Sequence, residues 1–253
     1  MHSIFDSDDF NDRLFFPRRS VSAVPAGAVD RMIDVPGETL HLRWHRAEGS
    51  TATLLLFHGN GEVVADYDDA AGSFAAIRLD LCVVDYRGYG QSSGSPTLRN
   101  TITDASLVLA AVVGESPLPV IIMGRSLGSA CAAELYGAPQ DPNVLALIFE
   151  SGFVSLHGLL DRRGMAAHRP TPEELAVFDP IPKLARGTLP LLVLHGENDT
   201  LIAPAEGDAA HRAAGGADKQ LVLVPRRGHN DVSLSDVYWK SMGAFVSRLI
   251  TRR

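Results

Sequence analysis

Ser126 stands between two glycines in the pentapeptide Gly124-Arg125-Ser126-Leu127-Gly128. A serine hydroxyl attacks a carbonyl efficiently only when a neighbouring base takes its proton. The G-x-S-x-G pattern provides the geometry for this, a tight strand-to-helix turn that presents the serine in strained backbone. Side chains at the flanking positions would collide with the adjacent strand and helix, which is why glycines occupy them. Alone, the pattern also fits a serine that only builds a turn. Its context favours the nucleophile: the apolar run PVIIM (119–123) stops at the turn, and the small-residue run LGSACAAELYG (127–137) begins there.

A serine nucleophile needs a histidine base held in one tautomer by an acid. PLLVLHGENDTLIAP places Asp199 just past an apolar run, and QLVLVPRRGHNDV places His229 just past the next. Ser126, Asp199, His229 is the chain order expected when each sits at the C-terminal end of a successive strand. Glu197 and Glu150, the latter closing LIFESGF one strand earlier, compete for the acid role. Asp231 reads as a cap or loop residue. His58 and His195 also close apolar runs, but glycine follows each directly, so both read as packing or turn histidines. Acyl transfer also requires donors for the developing oxyanion. The Leu127 N–H, at a helix start, is one candidate. The loop FHGNGEVVADY supplies the other, with Asn60 as the choice and Gly61 as the alternative. Gly59, Gly61, Arg125 and Phe153 are the further candidates for substrate contact. Arg125 has two readings, an ion pair with Glu150 under the floor of the site or a solvent-facing side chain.

These residues require a scaffold that aligns strand ends. TLLLF (53–57), LCVVD (81–85), PVIIM, VLALIFE (144–150), PLLVLH (190–195) and QLVLVP (220–225) are continuously apolar. Such strands are buried on both faces, as in a parallel sheet covered by helices. TITDASLVLAAVV, LGSACAAELYG, PAEGDAAHRAAG and SDVYWKSMGAFVSRLITRR read as helices, the last with Ser235 or Asp236 as its cap and arginines in its final turn. RMIDV and TLHLRWHR alternate as half-buried strands do. His41, Arg43 and His45 share one face there and read as a solvated face rather than a metal site. The proline-rich stretch 152–187 shows no strand pattern and reads as a short lid within a single domain spanning 1–253. Within it, Leu156, Leu159, Leu160 and Met165 read as packing the lid onto the body, with lining of a pocket as the alternative.

Taken together, TLLLFHGNGE, VVDYRGYGQSSG, IIMGRSLGS, LHGENDTLIAP and GHND resemble the α/β-hydrolase superfamily, from about Leu14 onward. The chain is most similar to its serine aminopeptidase-like and bud-emergence-type hydrolases and to related depalmitoylating thioesterases. Those relatives often have proline shortly after the counterpart of Glu150, where this chain reads Ser151-Gly152. The resemblance implies an α/β-hydrolase fold: a mostly parallel eight-stranded sheet with an antiparallel N-terminal strand, flanked by helices. It further implies a serine hydrolase that cleaves a small-molecule carboxylic ester or thioester through an acyl-enzyme, without a cofactor. The DYRGYGQS run becomes the loop after the fourth strand, lining the site.

Composition narrows the alternatives. The net charge is −7 and no long basic run appears, which disfavours nucleic acid as a partner. Cys82 and Cys131 lie in apolar or small-residue runs and read as buried thiols. The N-terminus MHSIFDSDDFNDR is acidic, unlike a signal peptide, and no apolar stretch reaches the roughly 18 residues of a membrane helix. A cytoplasmic location without stable membrane insertion is expected. Gly88, Gly90 and Gly94 resemble a dinucleotide fingerprint, but Ser95-Pro96 follows where a helix should open. No metal is implied. The rivals to an esterase are an aminopeptidase or amidase on the same triad and a non-catalytic binding protein of the same fold.

Overall fold

The computed structural model describes residues 3–138 and 141–252. Eight strands form one sheet: β1 Ala28–Val35, β2 Glu38–His45, β3 Ala52–Phe57, β4 Leu79–Val84, β5 Val120–Arg125, β6 Val144–Glu150, β7 Leu191–Gly196 and β8 Lys219–Val224. Their spatial order is β1-β2-β4-β3-β5-β6-β7-β8. β2 runs antiparallel to β1 and β4, and all other neighbours are parallel. This is the α/β-hydrolase architecture that the apolar runs and motifs imply.

The helices are α1 Asp8–Leu14, α2 Ala71–Ala76, α3 Leu98–Glu115, α4 Ser129–Gly137, α5 Leu156–Arg162, α6 Pro172–Phe178, α7 Pro180–Arg186, α8 Pro204–Ala213 and α9 Asp236–Thr251. The two-residue period of the strands divides their apolar side chains between two cores. Leu55, Phe57, Ile122, Phe149 and Val193 join residues of α3, α4 and α8 on one face. Leu54, Leu56, Ile121, Met123 and Leu192 join Phe74 of α2 and Met242 and Phe245 of α9 on the other. Cys82 and Cys131 are free and buried. QLVLVP departs from the expectation of burial on both faces. β8 is an edge strand with a neighbour on one side only, and Leu223 is 44% exposed.

The stretch 152–187 holds three short helices, α5, α6 and α7. Its prolines start helices: Pro172 and Pro180 occupy the first turns of α6 and α7, where a missing N–H is harmless. Ser155, Thr171 and Asp179 cap the three N-termini through their side chains. Leu156 and Leu160 are buried in the core and Met165 packs against it, whereas Leu159 also reaches a cavity described below.

Ahead of the first recognisable motif, Phe5, Phe10, Leu14 and Phe15 are buried. The Phe5 ring lies 4.9 Å from Phe10 and 4.7 Å from Phe178 of α6. Ser3 Oγ and the Ile4 N–H donate to Glu174 Oε1 at 2.7 and 3.1 Å, tying this segment to α6. The acidic residues that dominate its composition lie beside the apolar residues that bury it.

The face carrying His41, Arg43 and His45 is buried rather than solvated, and Arg43 is 0% exposed. Carboxylates from other elements cover it. Arg43 donates to both oxygens of Asp30 at 2.7 and 3.0 Å and to Asp68 Oδ2 at 2.8 Å. His41 bridges Asp85 and Asp30, each at 3.0 Å, and His45 Nε2 lies 3.1 Å from Asp68. Burial alone would depress the His41 pKa, but Asp85 and Asp30 outweigh it and raise it. Replacing Arg43 with Met leaves these carboxylates uncompensated. We expect a loss of about 3 kcal/mol in urea unfolding, against under about 0.5 kcal/mol for an arginine on a solvated face.

Candidate active site

β5 ends at Arg125, and Ser126 takes a left-handed backbone with φ +51° before a single 3₁₀ turn, Ser126–Gly128, feeds α4. Such a conformation costs a non-glycine residue about 1–3 kcal/mol and persists only when its surroundings fix it. They do so by close packing. A Cβ on Gly124 would lie 2.5 Å from Ala132 Cβ of α4, and one on Gly128 would lie 2.0 Å from the Phe57 carbonyl oxygen of β3. Neither position tolerates a side chain.

The loops after β7 and β8 bring Asp199 and His229 to this turn. His229 Nδ1 donates to Asp199 Oδ2 at 2.7 Å, and Ser126 Oγ lies 2.9 Å from Nε2. With Nδ1 engaged by a carboxylate, Nε2 is free to accept the serine proton. Asp199 Oδ1 accepts the Leu201 and Ile202 N–H groups, both at 2.9 Å. His195 Nε2 lies 3.2 Å from Asp199 Oδ2 and 2.9 Å from the Ile202 carbonyl, so this strand-end histidine braces the acid's turn. Burial alone would raise the Asp199 pKa. Hydrogen bonds from His195, His229 and the Ile202 N–H outweigh it and hold the carboxyl well below its usual range.

The competing acids are engaged elsewhere. Glu197 accepts the Arg226 N–H at 3.2 Å. Glu150 is buried against Tyr238, whose hydroxyl donates to it at 2.6 Å, and against Arg125. Burial raises its pKa, with Arg125 and Tyr238 opposing. Asp231 accepts the Gly228 N–H at 2.6 Å and so shapes the loop that carries His229.

Of its two readings, Arg125 adopts the ion pair. Its Nε lies 3.1 Å from Glu150, its Nη1 lies 2.7 Å from Glu62, and its Nη2 donates to Asn230 Oδ1 at 3.0 Å. One guanidinium thus joins the serine turn to the loops bearing Asn60 and His229. Burial would lower its pKa, but Glu62 and Glu150 outweigh this and raise it. Sequence reasoning did not single out Glu62 or Asn230, although each lies inside a quoted motif, HGNGE and GHND.

The HGNGE loop is held by its own side chains. Asn60 Nδ2 donates to the Leu14 carbonyl, and Asn60 Oδ1 accepts the Phe16 N–H at 2.9 Å and the Tyr89 hydroxyl at 2.7 Å. Asn60 and Leu127 line one cavity of about 220 Å³ together with Ser126 and His229. Arg125, Phe153 and Leu159 line it as well, with Phe16, Leu201 and Ile202 completing an apolar wall. Gly59 and Gly61, expected to touch substrate, do not line it. A Cβ on Gly59 would meet the Arg125 guanidinium at 2.4 Å, and Gly61 turns the chain at φ +79°. Their role is to let the loop fold closely. The DYRGYGQS loop does not line the cavity either. It stands behind HGNGE, where Tyr86 donates to the His58 carbonyl at 2.6 Å and Asp85 Oδ1 lies 3.3 Å from His58 Nε2. The stretch 152–187 contributes Arg162 and Arg163, which no sequence motif marked.

The family model described as "Serine aminopeptidase, S33" matches residues 48–177. Protein bem46 of Schizosaccharomyces pombe is 30% identical over 78% of this chain and 68% of its own length. The human alpha/beta hydrolase domain-containing protein 17B is 34% identical over 78% of this chain and 66% of its own. Among solved structures, the Pyrococcus furiosus esterase Pf2001 superposes with a TM-score of 0.74 at 18% identity, covering 92% of this chain and 99% of that one, a likeness of fold.

Because folding depresses the Asp199 pKa, its ionised form stabilises the folded chain at neutral pH. That contribution declines as pH falls below about 4, toward the depressed folded value. In urea titrations from pH 7 down to 2.5, the stability gap between wild type and Asp199→Asn should narrow steadily. A gap independent of pH would contradict the hydrogen-bonded carboxylate.

Proposed function

This chain belongs to the α/β-hydrolase superfamily, in the serine aminopeptidase S33 family and of the bud-emergence type, and from that premise we propose that it cleaves carboxylic esters or thioesters through an acyl-enzyme on Ser126. The observation that carries this reading is the unbroken hydrogen-bond chain Ser126–His229–Asp199 on the wall of a cavity. His229 takes the Ser126 proton as Oγ adds to the carbonyl carbon. The N–H groups of Leu127 and Asn60 donate to the oxyanion that forms. The charged imidazole is stabilised by Asp199 and protonates the departing alcohol or thiol. A water activated by the same histidine then releases the acid and restores Ser126.

Esters and thioesters are favoured over peptides by the lining of the cavity. An aminopeptidase needs an unengaged carboxylate for the substrate's ammonium group. Glu62 is the acidic residue lining this cavity among the described residues, and it is bound by Arg125, by the Tyr67 hydroxyl at 2.7 Å and by the Gly59 N–H at 2.7 Å.

Ser126→Ala should abolish labelling by a fluorophosphonate probe and turnover of p-nitrophenyl esters without altering the melting temperature. Retained turnover would refute the mechanism. Absence of labelling in well-folded wild type would favour a binding protein instead. Asp199→Asn should lower kcat by about four orders of magnitude. A larger loss in Glu150→Gln would move the acid role to β6.

A further inference from the structure

We propose that Arg163 forms an anion subsite in the Ser126 cavity, selecting esters or thioesters that carry a carboxylate or phosphate besides the bond cleaved. The inference rests on the hydrolase reading above and adds a substrate class to it.

Arg162 ends α5, Arg163 follows directly, and both line the cavity that holds Ser126 and His229. Their surroundings differ. Arg162 Nη1 lies 2.6 Å from Glu206 Oε1, and the other oxygen of that carboxylate accepts the Val154 and Ser155 N–H groups at 2.8 and 3.1 Å. Among the described residues, no carboxylate lies within ion-pairing distance of Arg163. Its Nε is buried without a hydrogen-bond partner, as is Nη2 of Arg162. Its neighbour on the cavity wall is Phe16, with the guanidinium carbon 5.6 Å from the ring centroid.

A guanidinium stays protonated at any working pH, so burying part of it with unmet donors is unfavourable until an acceptor arrives. The direction of its pKa agrees. Carboxylate partners raise Arg43, Arg87, Arg99 and Arg125, whereas burial and the nearby charge of Arg162 lower Arg163. A carboxylate or phosphate held on the cavity side of the Arg163 guanidinium would offset its charge and relieve the repulsion between the two arginines. The planar fork of donors suits both anions. Glu62, the acidic residue on the cavity wall, cannot serve, because Arg125, Tyr67 and the Gly59 N–H already hold it.

The anion has two possible sources, the acyl chain or the leaving group, and matched substrates separate them. Mono-p-nitrophenyl glutarate against p-nitrophenyl pentanoate tests an acyl-borne carboxylate. Butyryl-coenzyme A against butyryl-N-acetylcysteamine tests leaving-group phosphates. Wild type should prefer the charged member of at least one pair. Arg163→Gln should reduce that preference by about 10- to 100-fold in kcat/KM, mainly through KM, and Arg163→Lys should restore part of it. A preference absent in wild type, or unchanged in Arg163→Gln, overturns the subsite. An equal loss on all four substrates assigns Arg163 a purely structural role and overturns it as well. Failure of wild type to turn over any of the four, with no fluorophosphonate labelling, instead removes the hydrolase reading itself.

Discussion

The contact between Gly128 and the Phe57 carbonyl sets the distance on which the site depends. β3 and β5 are parallel neighbours, with Phe57 opposite Gly124, so both chains leave the sheet at the same edge. The serine turn then packs directly onto the end of β3, with no room for a Cβ between them. That approach forces Ser126 into its left-handed backbone and aims its hydroxyl away from the sheet. It also fixes the spacing between Ser126 and the HGNGE loop that β3 feeds. A parallel sheet adds the rest: β7 and β8 end on the same side, where their loops deliver Asp199 and His229.

The loop that faces Ser126 stands on polar support as well as on the apolar packing of Val63 and Val64. His58 lies against Asp85, Asp85 against His41, His41 against Asp30, and Asp30 against Arg43, which in turn meets Asp68. Asp85 also accepts the Val64 N–H at 2.9 Å, so one buried carboxylate anchors both ends of the segment running from His58 to Val64. Directional bonds of this kind hold a loop in one conformation, which non-directional apolar contact does less strictly. The cost is sensitivity, since each removal leaves an unpaired charge in a buried place.

Two carboxylates at neighbouring strand ends are given opposite environments. Asp199 accepts backbone N–H groups and two histidines and is held ionised. Glu150 is enclosed by Tyr238 and Arg125, and burial raises its pKa. Under the proposed mechanism the first steers His229. The second fixes Arg125, and through Arg125 the loops around the serine. Arg125 and Arg163 make the same point with the opposite charge: Arg125 is saturated by carboxylates, and Arg163 has none within ion-pairing distance among the described residues.

The strands, the glycine-flanked serine and the order Ser126, Asp199, His229 were all legible in the sequence, because each is a local pattern. Apolar runs report burial on two faces, and a G-x-S-x-G after such a run reports a tight turn. The face of His41, Arg43 and His45 was misread for the converse reason. Polarity along a strand signals water unless counter-charges arrive, and Asp68 and Asp85 arrive from 25 and 44 residues away. Helices of seven residues in the stretch 152–187, and a phenylalanine-bearing N-terminal segment written among acidic residues, are too short to show a period. By itself the sequence determined which residue types stand at which strand ends. Only the tertiary structure decided which charges meet, because an ion pair depends on the position of its partner and a single side chain encodes only its own.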